Sequence, residues 1–468
     1  MEGATMQGEM TQGDRIRAHL QEMFRSALER VDPYRMIKER VLIQGGKIVV
    51  RSDREELSWE LSRYSRILVL GAGKATAKMA LAIEEILGSR ITEGVIAVKP
   101  GHTESLYRIR MIEAGHPVPD AGSVEAGKTV AELARKADKD TLVINLISGG
   151  GSALLSYPYA WEDTEGSHAL SLEDKQKTTK ALLACGATIQ EINCIRKHLS
   201  GIKGGRLAQL LYPAESINLI LSDVVGDRLD SIASGLTAPD GTTFAEAVAL
   251  VEKYGIASQL PTLAWQVLRL GAEGKLPETP KKGDPLFEKV HNILIGSNYG
   301  ALLAAERKAK ELGYHTVVLS SEIIGEAREI AKVYMGIGRD VKRRELLIQR
   351  PACVIAGGET TVTLRGDGKG GRNQEMALSF LAEIESNPDG SEGIFFLAAS
   401  TDGNDGPTDA AGAFADPEVL AAGRNAGLSV QDFLKRNDSY HYFDRIGFLL
   451  KTGPTNTNVC DVQILVVP

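Results

Sequence analysis

Short apolar runs that end in glycine-rich loops, each followed by a stretch of helical period, recur along this chain and restrict it to an α/β architecture. The clearest is Thr141–Ile147, which runs straight into Ser148-Gly149-Gly150-Gly151-Ser152. Residues 67–70, 95–98, Ile109–Glu113 and 217–221 are further runs, and helical spacing returns over 15–30, 33–42, 75–87, 171–184 and 188–199. Such alternation specifies a mainly parallel sheet with helices on both faces. The pairs Ser171/Asp174 and Thr188/Glu191 have the capping-box spacing, and Ser123 is expected to cap a helix reaching about Asp138. Beyond 271–285 the alternation restarts, with strands at 292–295, 316–319, 394–398 and 462–467 and helices at 301–311 and 326–344. Residues 354–355 and 361–364 are expected to flank Gly357-Gly358-Glu359 as a hairpin.

A chain of 468 residues exceeds one ordinary core. Residues 1–13 are expected to be disordered, 14–270 to form a first domain, 271–285 (rich in glycine, proline and lysine) to link, and 286–468 to form a smaller second α/β domain. The net charge of −7 and aromatic content of 5% argue against a nucleic-acid reader or an acidic-membrane binder. The four cysteines include no C-x-x-C pair, which argues against zinc ribbons and redox dithiols. With no signal-like leader and no apolar run long enough to span a bilayer, the expected location is cytoplasmic.

In open α/β sheets ligands sit beyond the carboxyl ends of strands, and five loops fall at such places. Gly71-Ala72-Gly73-Lys74-Ala75-Thr76 approaches a dinucleotide fingerprint, but Thr76 replaces the third glycine. The run 95–98 ends in Lys99 where a ribose hydroxyl would need an acid, so phosphate suits this loop better than NAD. Ser148 to Ser152 supply N–H and O–H donors. Asp223, Asp227 and Asp230, after the run 217–221, are candidate Mg²⁺ ligands, and one can accept a hydroxyl proton. Gly366, Gly368, Gly370 and Gly371 surround Lys369 and Arg372 before a helical run from Asn373, a pattern suited to an anion. The fifth loop, 400–409, holds Asp402 but lacks the closing glutamate of a calcium loop. Gly122 to Thr129 matches G-x-x-x-x-G-K-[ST], yet the rigid His116-Pro117-Val118-Pro119 turn precedes it, which places the match inside a helix. Arg196, Lys197, His198, Lys203 and Arg206 form a basic cluster fit for a carboxylate or a phosphate.

Taken together, Gly71-Ala72-Gly73-Lys74, Gly115-His116-Pro117-Val118-Pro119-Asp120, Ser148 to Ala153, 193–208, 222–227, Gly357-Gly358-Glu359-Thr360-Thr361-Val362, Gly370-Gly371-Arg372-Asn373-Gln374-Glu375 and Thr401-Asp402-Gly403 resemble the class II glycerate kinases with a carboxy-terminal MOFRL-type domain. The resemblance implies a Rossmann-like doubly wound amino-terminal domain, a smaller α/β carboxy-terminal domain and an active site in the cleft between them. It implies transfer of a phosphoryl group from ATP, with Mg²⁺, to the 2-hydroxyl of D-glycerate. Lys74 and Arg372 would be the central cations. Asp223 or Asp402 would serve as base or metal ligand, with Asp227 a third metal carboxylate. Gly71, Gly73, Ser148, Gly149, Gly150, Gly151, Ser152, Gly358, Glu359, Thr360, Gly371 and Asn373 would contact substrate or nucleotide, and Arg196 or Lys197 the glycerate carboxylate. The partners implied are small molecules only, with a homodimer compatible. Two other readings stand beside it: a nicotinamide-dependent hydroxypyruvate reductase, and a non-catalytic sugar-acid sensor.

Overall fold

All seven residues of Thr141–Ile147 are buried, as a strand covered on both faces requires. In the computed structural model, which describes residues 10–53, 55–164 and 166–468, this strand lies inside a six-stranded, all-parallel sheet. Its strands in chain order are β1 Arg66–Ala72, β2 Glu93–Val98, β3 Ile109–Glu113, β4 Thr141–Ile147, β5 Glu215–Leu221 and β6 Val290–Gly296. Their spatial order is β3-β2-β1-β4-β5-β6, the doubly wound order, and it reverses between β1 and β4. The chain forms two compact units, and this sheet organises the one spanning Pro33–Gly296.

Helices Thr76–Leu87 and Ala121–Arg135 join successive strands of the first sheet. Between β4 and β6 the chain builds a helical layer with its own apolar core, in which Leu182, Ile195, Phe244 and Val267 are buried. Helices Leu172–Ala184 and Ile189–His198 in that layer carry the two capping boxes read from the sequence. Ser123, however, is the third residue of its helix, and Asp120 is the cap: its Oδ1 accepts from Ser123 N at 2.9 Å. The whole Gly122–Thr129 match lies within that helix, so from Val124 onward its backbone N–H groups are committed to the helix ladder, and that of Ser123 to the Asp120 cap.

The segment 271–285 is not a linker. Glu278 accepts from Phe244 N and pairs with His198 Nε2, Thr279 is buried, and Asp240 N donates to Pro280 O. Its polar composition conceals these inward anchors, and β6 beyond it completes the first sheet. The units divide instead after Asp32 and after Gly296.

The other unit joins the segment up to Asp32 to Ser297–Pro468. The first nine residues of the stretch expected to be disordered lie outside the described residues, and helix Gln12–Arg30 begins before that stretch ends. The second sheet is mixed. Its strands are β7 His315–Glu326, β8 Ala352–Thr361, β9 Phe395–Ser400, β10 Gly412–Ala415, β11 Leu449–Leu450 and β12 Asp461–Val467, in the order β7-β8-β12-β9-β10-β11. Only β7 and β8 pair in parallel. The expected hairpin at 357–359 is one continuous strand, β8. Its glycines admit neighbours: a Cβ on Gly357 would lie 2.1 Å from Asn298 Oδ1, and one on Gly358 (φ +144°) 2.1 Å from Ile323 O. Helix Arg372–Ser386, with ten buried residues, packs on this sheet.

Candidate active site

At the switch point of the first sheet, the loops leaving β1 and β4 are bonded to each other. Lys74 N donates to Gly149 O at 2.9 Å, and Ser148 N to Ala72 O at 3.1 Å. Ser148 is buried, and its Oγ accepts from Ala75 N and shares a 3.1 Å bond with Thr76 Oγ1. Gly73 (φ +149°) is required here, because a Cβ would fall 1.9 Å from Ser148 Oγ. Gly71 meets Leu146 O and the Thr76 methyl in the same way. Ser148, Gly71 and Gly73 therefore build the loop pair.

The next residues present chemistry. A Cβ on Gly149 would lie 2.2 Å from Asp223 Oδ2, so the carboxylate from the β5 loop rests on the β4 loop. A Cβ on Gly150 would lie 3.0 Å from the His116 ring and 3.3 Å from Lys74 Cγ. Lys74, His116, Gly149, Gly150 and Asp223 thus share one locality. Lys74 is half-buried and has no ion-pair partner among the described residues. His116 is held down to about 4, first by burial and then by Lys74, Lys99 and His102, and it is neutral at pH 7. His102 is lowered by burial and by the same two lysines. Such a locality favours an anion. Ser152 hydrogen-bonds Ser234 through its hydroxyl at 2.7 Å, and Gly151 opens a short helix packed over Ala72 O.

The basic cluster separates into two sets. Lys197 is buried against Asp240 at 3.2 Å and Asp230 at 3.8 Å. His198 bonds Cys194 O and Glu278, and Arg206 bonds the carbonyls of Lys197 and Ser200 and lies over Tyr159. These three hold the helical layer together, which removes Lys197 as a candidate for the glycerate carboxylate. Arg196 and Lys203 instead line a cavity of about 710 Å³ that also borders His116, Gly150 and Ser152. Lys180 also lines it, and so does Lys175, which sequence reasoning missed. It sits among charged neighbours, but it shares a helix face with Leu172, Thr178 and Leu182, and that spacing is the signal that places it inward.

The glycine loop before Arg372 is arranged differently. Arg372 forms a fork with buried Asp461, Nε to Oδ2 at 2.6 Å and Nη2 to Oδ1 at 2.9 Å, and its Nη1 meets Glu359 at 3.0 Å. Asp405 takes the helix N-terminus, accepting from Asn373 N, Asn373 Nδ2 and Gln374 N. Burial pushes the Asp405 carboxyl up to about 7 against those hydrogen bonds, with Asp461 adding to the rise. The expected anion cradle is thus occupied by this unit's own carboxylates. Gly371 packs against Asp405, Gly366 and Gly368 against Arg436, and Lys369 lies over the Tyr440 ring at 4.4 Å. Thr360 is buried with its hydroxyl unpartnered among the described residues, and Glu359 is about half exposed.

Asp402 accepts from Ser400 Oγ and Asn404 N, closing a local turn, and Asp227 sits at a positive φ of 51° in the β5 loop. Among the described residues no three His, Cys, Asp or Glu side chains gather as a metal cage. The donor set suits Mg²⁺ held by one or two carboxylates and phosphate oxygens, the usual arrangement in phosphoryl transfer, with Asp223 best placed beside the β4 loop.

A doubly wound sheet whose switch-point loops gather a lysine, a carboxylate and successive glycines in one locality defines an α/β phosphate-binding protein. Residues 19–269 match DUF4147, described as a domain of unknown function, and residues 352–461 match the MOFRL family. The D-glycerate 2-kinase of Thermotoga maritima is 41% identical, over 85% of this chain and 90% of its own. A putative hydroxypyruvate reductase of Agrobacterium vitis is 42% identical, over 86% and 99%. The crystal structure of a Thermotoga maritima glycerate kinase superposes with a TM-score of 0.83 at 36% identity, covering 97% of this chain and all of that one. The chain belongs to the glycerate kinase family that couples a DUF4147 domain to a carboxy-terminal MOFRL domain. No described helix is long and apolar enough to cross a membrane.

Proposed function

We propose that this protein transfers the terminal phosphoryl group of ATP to the 2-hydroxyl of D-glycerate, giving 2-phosphoglycerate and ADP. The observation that carries the reading is Lys74, without an ion-pair partner among the described residues, in one locality with Gly149, Gly150 and Asp223 at the switch point of the first sheet. Phosphoryl transfer asks a protein for charge neutralisation and alignment more than for covalent help. Lys74 neutralises the transferring phosphoryl, and the consecutive glycines allow phosphate oxygens close to the backbone. Asp223 would hold Mg²⁺, which supplies charge compensation between phosphates when bound, or would accept the hydroxyl proton. Neutral His116 offers a hydrogen bond without adding charge. Arg372, already forked by Asp461 and meeting Glu359, is neutralised within its own unit and carries no part of this reading. The partners are small molecules, in a cytoplasmic setting.

The name of the Agrobacterium relative supports a second reading, hydroxypyruvate reduction. Lys99 after β2 and Thr76 in place of a third glycine count against it, since the ribose of NAD would lack its acid. Purified protein with ATP, Mg²⁺ and a panel of hydroxy acids should release ADP with D-glycerate and give 2-phosphoglycerate by phosphorus NMR. NADH oxidation with hydroxypyruvate and no ADP release would replace the kinase reading.

A further inference from the structure

Two features of the cavity beside the β4 loop go unused by glycerate. The first is excess positive charge. Lys175, Lys180, Arg196 and Lys203 all line it, and none has an ion-pair partner among the described residues. The Lys175 ammonium is buried with no hydrogen-bond partner among the described residues. Lys203 donates to Ser152 O and so ties the cavity to the switch-point loop. A single carboxylate balances one of these cations; a polyphosphate balances several. The second feature is exposed apolar surface on the same cavity: Val118 is 61% exposed and Leu183 63%. The volume, about 710 Å³, lies in the range that encloses cofactor-sized ligands and is several times what a three-carbon acid fills.

We propose that this cavity is the nucleotide seat, with Lys175, Arg196 and Lys203 on the polyphosphate and Val118 and Leu183 covering the nucleoside. Gly150 lines the cavity and lies against Lys74, so a phosphate chain seated there leads past Gly150 towards Lys74. Burial, and then Arg196, lower Lys175 to about 7, a cost that an anion beside it would offset. The assignment rests on the kinase reading for the identity of its ligand, and it moves Arg196 from the acceptor to the donor nucleotide.

The test is direct binding of ADP with Mg²⁺, by calorimetry and by the ligand-induced rise in melting temperature, on wild type, Lys175→Met and Leu183→Asp. Lys175→Met removes a buried unpaired charge, so without nucleotide it should melt at or above wild type. Its ADP affinity should fall at least tenfold while KM for D-glycerate holds within twofold. Leu183→Asp, at an exposed position where folding is not at stake, should weaken ADP severalfold. Unchanged ADP affinity in both variants overturns the proposal, and a raised glycerate KM alongside it would make the cavity the acceptor site. ADP binding lost in these variants of a protein that turns over no glycerate would uphold the seat while removing the kinase reading.

Discussion

Two glycine loops with cations, Gly71 to Thr76 and Gly366 to Arg372, look alike as sequence and differ as electrostatics. Around Lys74 no described residue supplies an ion-pair partner, and the nearby histidines are pressed neutral. Around Arg372 it supplies Asp461, Glu359 and Asp405, so guanidinium and helix N-terminus are both satisfied internally. A cation in a glycine loop marks a ligand site only where the protein has not already neutralised it.

The contrast breaks most readily at Arg372. Arg372→Ala leaves Asp461 buried and unpaired and should lower stability by about 3–5 kcal/mol in chemical denaturation. The double variant Arg372→Ala/Asp461→Asn should recover more than half of that. If turnover returns with stability, Arg372 is a clasp; if turnover stays lost, it also touches the phosphoryl group. Lys74→Ala should instead melt like wild type and lose roughly 10²–10³ in turnover, and wild-type turnover would end its proposed role. The pH dependence sharpens the comparison. Lys175 titrates near 7 when folded against an ordinary 10.5. Between those values the unfolded chain binds more protons, so this group makes stability rise with pH. The advantage of Lys175→Met in denaturation should therefore be largest below pH 7 and shrink towards pH 10; a flat difference would contradict the buried, unpaired ammonium. The smallest effect belongs to Lys369→Ala, which removes a contact with Tyr440 and should cost about 0.5–1 kcal/mol, with ADP affinity unchanged.

Local signals were legible in the sequence. The capping boxes at Ser171 and Thr188 and the fully apolar run 141–147 determine their own conformation within a few residues. The doubly wound unit followed from such elements, and so did the Lys74 and Ser148 loops at its strand ends. What failed was non-local. Gly357 and Gly358 look like a turn, yet they are small because Asn298 and Ile323 approach them from distant sequence. Residues 196–206 read as one basic cluster, but helical geometry sends Arg196 to the cavity and Lys197 to Asp240. Lys175 hid among charged neighbours, and the carboxylates around Arg372 come from 359, 405 and 461, which no spacing rule connects.

Helix Gln12–Arg30 belongs with the carboxy-terminal residues, and Thr457 bonds Val31 across 426 positions. During synthesis that helix leaves the ribosome early and waits for its main partner, helix Asn298–Glu311, and then for the strands 395–400 and 461–467. The stretch from Pro33 to Gly296 has no such debt to later residues and can consolidate first. Expression of the halves should respect this: a fragment cut at 296 carries an orphaned leading helix, and a MOFRL fragment begun at 297 lacks one it was built around.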